Sequence, residues 1–162
     1  MRISLVIPTR ERIETLRSCV ALALSCADPD LEVVVSDNHS TDGTAEFLAS
    51  VADSRLKVVR PEGRVSMRLN FETAMAAATG DYVIVIGDDD GVLPSGLRLL
   101  RGILERERPE AVNWELISYT WPSARPGQGC GLLPIKAKSV HGGISRRPAG
   151  RLLEDLCRAR LR

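Results

Sequence analysis

The chain has 162 residues, 44% of them hydrophobic, which suits one ordinary domain able to bury roughly two thirds of its unfolded surface. Its 22 basic and 21 acidic residues leave a net charge of +1, which excludes a general electrostatic pull toward nucleic acid or membrane.

Met1 to Ile7 is short, β-branched and apolar on both faces, as befits a strand inside a parallel sheet, and Pro8-Thr9 is predicted to end it. Apolar residues at Ile13, Leu16, Val20, Ala23 and Leu24 recur at helical spacing and predict a crossover helix. Leu31 to Val35 reads as a second strand, stopped by the polar Ser36-Asp37-Asn38. Ser40-Thr41-Asp42-Gly43 then supplies cap residues for a helix through Phe47, Leu48 and Val51. Leu56 to Val59 is a short third strand closed by Pro61 and Gly63. Met67, Phe71, Ala74, Met75 and Ala78 mark a further helix ending near Gly80.

Asp81 to Ile86 is the clearest strand in the chain, and the acidic triplet Asp88-Asp89-Asp90 follows it directly after Gly87. Pro94-Ser95 opens a helix carrying Leu97, Leu99, Leu100, Ile103 and Leu104, which charge and Pro109 stop. Ala111 to Tyr119 is expected to be a last strand. This alternation predicts an α/β protein, a three-layer α/β/α sandwich with a mainly parallel central sheet. Domain organisation follows from where the pattern stops: an α/β domain over residues 1–121, then an irregular, Arg-rich segment over 122–162 broken by Pro and Gly, with a short helix from Ala149 to Leu161.

Cys19, Cys26, Cys130 and Cys157 form no C-x-x-C pair and have no histidine at metal-binding spacing, so they read as reduced, packing thiols. The start of the chain has no basic leader before an apolar stretch, and no 18 uncharged apolar residues occur in a row, so a soluble cytoplasmic protein is expected, with no transmembrane segment. Arg146, Arg147, Arg151, Arg158, Arg160 and Arg162 form a basic tail. It reads first as a solvated helix or frayed end, and second as a peripheral contact with anionic lipid at the inner face of the membrane or with a polyanionic acceptor.

Ligands of open α/β sheets bind beyond the carboxyl ends of the strands, and here those ends are polar: Pro8-Thr9-Arg10-Glu11, Ser36-Asp37-Asn38 and Gly87-Asp88-Asp89-Asp90. Adjacent carboxylates repel unless a cation or hydrogen-bond donors offset them. Mg²⁺ or Mn²⁺ takes one or two carboxylates and leaves its other positions to water and phosphate, so the triplet points to a metal-diphosphate site. A solvated acidic turn is the plainer alternative. His39 reads as a loop residue. Neither G-x-G-x-x-G after the first strand nor G-x-x-x-x-G-K-[ST] occurs, which disfavours dinucleotide and P-loop binding.

Four segments in order carry a resemblance: Ser4 to Arg10, Val34 to Thr44, Ala78 to Val83, and Gly87 to Asp90 with Leu93-Pro94. Together they resemble the family 2 inverting glycosyltransferases with the GT-A, nucleotide-diphospho-sugar transferase-like fold, over Met1 to about Trp121. The resemblance implies transfer of a sugar from a nucleoside diphosphate sugar, a uridine or thymidine donor, to an unidentified hydroxyl acceptor such as a sugar or lipid-linked sugar, in building cell-surface polysaccharide. It implies that Pro8 and Thr9 line the base pocket beside Arg10 and Glu11, and that Asp37, next to Asn38, accepts from the base. Arg64 or Arg68 would flank the nucleotide near Asn70. Asp88 would face the ribose, and Asp89, with Asp90, would hold Mn²⁺ or Mg²⁺.

The family's usual motif is D-x-D-D, whereas Gly87 takes the first acidic position here, which leaves the division of roles within the triplet open. The family's base lies well after the metal motif. Beyond Glu115 only Glu154 and Asp155 are acidic, and neither matches the family's context, so no base is assigned. Three functional readings stand at this point. They are an active transferase, a donor-binding module or truncated copy that binds nucleotide sugar without transferring it, and a sugar-phosphate nucleotidyltransferase. The last needs a glycine-rich loop after the first strand, which Pro8 to Glu11 lacks.

Overall fold

The computed structural model of the chain describes residues 1–112. Almost all of them fall in one compact unit, Met1–Arg108. The boundary at 121, most of the strand expected over 111–119, Cys130, Cys157, Glu154, Asp155 and the basic tail lie outside the described residues.

The elements run β1 (Ile3–Thr9), α1 (Ile13–Leu24), β2 (Leu31–Asp37), α2 (Thr44–Ser50), β3 (Leu56–Val59), α3 (Met67–Ala76), β4 (Tyr82–Val85) and α4 (Pro94–Glu107). The strands form one sheet in the order β3-β2-β1-β4, and every pair in it is parallel. The fold is therefore the α/β class expected. The chain steps outward from β1 to β2 and β3, then returns to lay β4 on the other side of β1, so the strand order reverses at β1.

β1 and β2 are buried along almost their whole length, because both faces are covered. On one face Val6, Val34 and Ala74 form a core, with Val59, Ala77 and Ala78 packed against it. Side chains alternate along a strand, so Leu5, Ile7, Val33 and Val35, all buried, point to the opposite face. Right-handed crossovers place α1 and α2 there, and α1 buries Leu16, Cys19, Val20 and Ala23 at helical spacing.

Three expectations need correction. Pro8 and Thr9 do not end β1 but belong to it, paired with Ser36 and Asp37. A parallel strand points alternate residues at alternate neighbours, and Val6 accepts from Ile86 on the β4 side. Pro8 shares that side, where β4 has already ended at Val85, so its missing N–H costs no ladder bond. β2 likewise runs on through Ser36 to Asp37. In α3 the buried face is Asn70 and Ala74, whereas Met67 is 77% exposed and Met75 is also exposed. Small side chains let α3 lie close over Val6 and Val34, which the methionines could not.

The other end of the sheet is pinned by polar latches. Gly80 N–H donates to Ser4 Oγ at 2.8 Å, and a Cβ at Gly80 would stand 2.7 Å from the Ser4 backbone nitrogen, so the close approach requires glycine. Arg101 of α4 donates through Nε to Asp28 Oδ2 at 2.7 Å and through Nη1 to the Met1 carbonyl at 2.7 Å. Among the described residues no helix is long and apolar enough to cross a membrane.

Candidate functional site

The carboxyl ends of β1, β2 and β4 form a rim of buried polar side chains: Thr9, Ser36, Asp37, Asn38 and Asp88. Ligands of open α/β sheets bind at this end, where strand order reverses. Thr9 is in register with Asp37 on one side. On the other, its Oγ1 donates to Asp88 Oδ2 at 2.7 Å. Thr9 thus holds the Asp88 carboxylate on one side of β1 and lies in register with Asp37 on the other.

The triplet itself is a tight turn. Gly87 N–H donates to Asp90 Oδ2 at 3.0 Å, and Asp90 N–H returns to the Gly87 carbonyl at 3.1 Å. A Cβ at position 87 would stand 2.7 Å from Asp89 Oδ1 and 3.1 Å from Asp90 Oδ2, so glycine leaves room for both carboxylates to fold back over it. Arg12 offsets part of the turn's charge: its Nη1 lies 3.1 Å from Asp88 Oδ1 and 2.9 Å from Asp89 Oδ2. The hydrogen bond to Asp88 and its charge, then those of Asp89, raise the Arg12 pKa above its ordinary value. Cys19 Sγ lies 3.7 Å from the Gly87 carbonyl. Burial first, then the charges of Asp88, Asp90 and Asp89, push this thiol up to about 12, so it stays neutral.

The β1–α1 and β2–α2 loops are zipped together. Glu11 N–H donates to Ser40 Oγ at 2.9 Å, Glu11 Oε1 accepts from Thr41 N–H at 3.0 Å, and Asp42 Oδ2 accepts from Ile13 N–H at 2.8 Å. Asp42 Oδ1 also accepts from Thr44 Oγ1 at 2.7 Å, so one aspartate serves the first turns of α1 and α2. Within these loops Glu11 and His39 adopt left-handed backbone, at φ 53° and 55°.

Asp37 sits inside the clamp, 2% exposed. Its Oδ1 accepts from Ser40 N–H at 3.0 Å. Oδ2 has no hydrogen bond among the described residues, although Arg60 Nη2 stands 3.4 Å away. A buried carboxylate oxygen without a donor is costly, and a ligand N–H is the kind of group that would satisfy it.

The remaining sequence candidates divide. Asn38 is occupied by the backbone of Val65, donating through Nδ2 at 2.8 Å and accepting at Oδ1 at 2.9 Å. Asn70 accepts from Ser36 Oγ at 2.7 Å and donates to the carbonyls of Thr9 and Ser36 at 3.3 and 3.2 Å. Both hold the rim in shape, with the polar atoms of their amides engaged by the protein. Pro8 is buried within β1 and Arg10 is exposed. Arg64 lies 3.9 Å from Glu11 Oε1, within the loop clamp, whereas Arg68 pairs with Glu72 one turn along α3.

No three His, Cys, Asp or Glu side chains converge as a complete cation cage among the described residues. Asp89, half-buried, and Asp90, exposed, are a pair of hard oxygen donors beside the buried Asp88, a set that would suit Mg²⁺ or Mn²⁺ sharing its coordination with phosphate.

The family model described as "Glycosyl transferase family 2" matches residues 4–138. The chain belongs to glycosyl transferase family 2. The abequosyltransferase RfbV of Salmonella typhimurium is 30% identical to this family 2 chain over 112 residues, covering 66% of the chain and 34% of RfbV. A GalNAc(5)-diNAcBac-PP-undecaprenol beta-1,3-glucosyltransferase of Campylobacter jejuni is 26% identical over 102 residues, covering 61% of the chain and 33% of that enzyme. The chain spans about a third of the length of the curated relatives it matches. Residues 1–349 of S. aureus TarS superpose with a TM-score of 0.62 at 22% identity, covering 67% of this chain and 33% of that one, which establishes the shared fold.

Two rim residues of this family 2 chain escaped the sequence reading. Arg12 lies one position past the Pro8 to Glu11 segment, and Arg60 directly follows β3, whose end was not read for function. The strand-end rule, applied to every strand and carried one residue further, finds both.

Proposed function

We propose that the chain is the donor-binding part of a glycosyltransferase, taking a nucleoside diphosphate sugar whose base is uracil or thymine and passing the sugar to a hydroxyl acceptor with inversion. The observation that carries this reading is the hydrogen-bonded set Thr9–Asp88–Arg12–Asp89 at the ends of β1 and β4, with the buried Asp37 in register with Thr9 at the end of β2. The buried end of the rim offers an acceptor oxygen, Asp37 Oδ2, suited to a base N–H. Its exposed end offers Asp89, with a side chain 46% exposed. Family membership supports the same assignment, and a solved complex of TarS with UDP-GlcNAc shares the fold at a TM-score of 0.60.

In this reading the acceptor hydroxyl oxygen bonds to the anomeric carbon as the bond from that carbon to the diphosphate breaks, and the hydroxyl proton passes to a base. Asp88, held by Thr9 on one oxygen and Arg12 on the other, takes the ribose side of the nucleotide. Asp89, with Asp90, would hold Mg²⁺ or Mn²⁺, which when bound offsets the charge that builds on the leaving diphosphate. Arg60 and Arg64 flank the base end of the rim, beside Asp37 and Glu11. The residues over 1–121 supply this donor half.

A melting-temperature panel tests the proposal. Uridine or thymidine diphosphate together with Mn²⁺ or Mg²⁺ raises the melting temperature of the chain, and Asp89→Asn abolishes the metal's share of that rise. Absence of a shift with any nucleoside diphosphate overturns it.

A further inference from the structure

Arg12 has a position that binding of a nucleotide does not by itself explain. It is the N-cap residue of α1, where its donor-only guanidinium has no helix N–H to serve. It reaches instead across to a turn 76 residues on, where a single nitrogen, Nη1, touches both Asp88 and Asp89. The two carboxylates it bridges differ in exposure. Asp88 is buried and keeps a second partner in Thr9, so it stays in place whether or not Arg12 is present. Asp89 is half exposed, and its Oδ2 is an oxygen of the kind a divalent cation would take.

Resting on the donor-site reading above, we propose that Arg12 is a resident counter-cation of the acidic turn, which a divalent cation must displace from Asp89 and which the donor diphosphate helps to draw away. Two cations cannot share Asp89 Oδ2 without repelling each other. The Arg12 side chain is half exposed on a long, flexible stem, so it can leave at little cost. A diphosphate gives its guanidinium forked oxygen acceptors in exchange for the carboxylate. Metal alone therefore binds weakly and metal with nucleotide binds well. Part of the acidic turn's charge stays offset while the site is empty, and cation and donor arrive as a coupled pair. Arg12 acts through Asp89 and is a positioning residue.

The test measures Mn²⁺ binding from the paramagnetic signal of the free ion, for the whole chain with and without uridine diphosphate. Without nucleotide, Arg12→Gln is expected to bind Mn²⁺ roughly twofold to fivefold more tightly than wild type, the scale of partly exposed ion pairs. The enhancement of Mn²⁺ binding by uridine diphosphate shrinks by the same factor, because with nucleotide bound Arg12 has already left Asp89 and Mn²⁺ meets the same carboxylate in both proteins. Arg12→Lys, which keeps the charge but not the fork, is expected to hold Mn²⁺ binding without nucleotide close to that of wild type, an outcome that a purely structural role would not require. Arg12→Met carries the same comparison if the Gln variant does not fold. Arg12→Gln binding Mn²⁺ no more tightly than wild type, while uridine diphosphate still promotes Mn²⁺ binding in both, overturns the displacement and leaves the donor site standing. Absence of Mn²⁺ binding in every variant, even with uridine diphosphate, overturns both.

Discussion

Thr9 and Asp88, 79 residues apart, are joined by a 2.7 Å hydrogen bond in which the threonine hydroxyl donates to a buried carboxylate oxygen. The bond does what the sheet no longer does at this level, since β4 has ended at Val85 while β1 runs on to Thr9. Thr9→Val keeps the shape of the side chain and removes the donor, leaving Asp88 Oδ2 buried and unpaired. The expected cost is about 1–3 kcal/mol, read from urea denaturation, with Thr9→Ser close to wild type. Equal stability of the two variants would mean that solvent replaces the hydroxyl freely.

Asp37 is matched to a ligand by one oxygen only. Its Oδ1 is committed to Ser40 N–H and its Oδ2 is buried without a hydrogen bond. Asp37→Asn keeps an oxygen for Ser40 and places an NH₂ where Oδ2 stood. A base N–H then meets a donor rather than an acceptor, and the affinity for uridine diphosphate, measured by calorimetry, is expected to fall by about tenfold or more. Unchanged affinity would remove Asp37 from the base contact.

The order and type of the elements were legible because each segment has one dominant period: unbroken apolar runs for β1 and β2, and helical spacing for α1 and α4. Strand ends were not, because Pro8 breaks a ladder only where a neighbour is present, and the early end of β4 is a long-range fact. The buried face of α3 was hidden for a related reason. Met67 and Met75 look like core residues, yet close packing over Val6 and Val34 selects Ala74 and the hydrogen-bonding Asn70. At the rim, the acidic triplet and Asp37 stood out as polar residues following apolar strands. Arg12 did not, since an arginine opening an amphipathic helix has the pattern of any solvated residue until the fold brings Asp88 and Asp89 to it.

Gly80 lies close against β1 at the end away from the rim. A Cβ there would meet both the backbone nitrogen and Oγ of Ser4 at 2.7 Å, and backbone within a central strand cannot move aside as a flexible side chain could. Ser4 is bound on its other side to Glu32 Oε2 at 2.5 Å, and Glu32 also accepts from Thr79 N–H at 2.9 Å, so relief would break a connected set of bonds. Gly80→Ala is expected to destabilise the chain by about 1–3 kcal/mol. Thermal unfolding followed by circular dichroism checks it, and a melting temperature equal to wild type would show that β1 and the α3–β4 turn separate easily.

Asp53 gives the fold an acid-sensitive joint remote from the rim. Arg55 donates to the carbonyls of Leu24 at 2.6 Å and Cys26 at 2.5 Å, tying the end of α1 to the start of β3, and Asp53 orients it through Nε at 3.1 Å and Nη2 at 2.8 Å. The side-chain hydrogen bond from Arg55, followed by the bond from its backbone N–H, lowers the Asp53 pKa from 3.8 to about 2. A carboxylate held down in this way stabilises the folded chain above its unfolded value and loses that contribution as pH falls toward the folded one. Wild type should therefore lose stability between pH 3.8 and about 2 by an amount that Asp53→Asn does not. With the side chain a quarter exposed, solvent screening limits the difference to about 1 kcal/mol. Urea midpoints for the two proteins across this range are expected to differ most at the upper end and to converge at the lower. Parallel profiles would mean that Arg55 holds α1 and β3 together without help from the Asp53 charge.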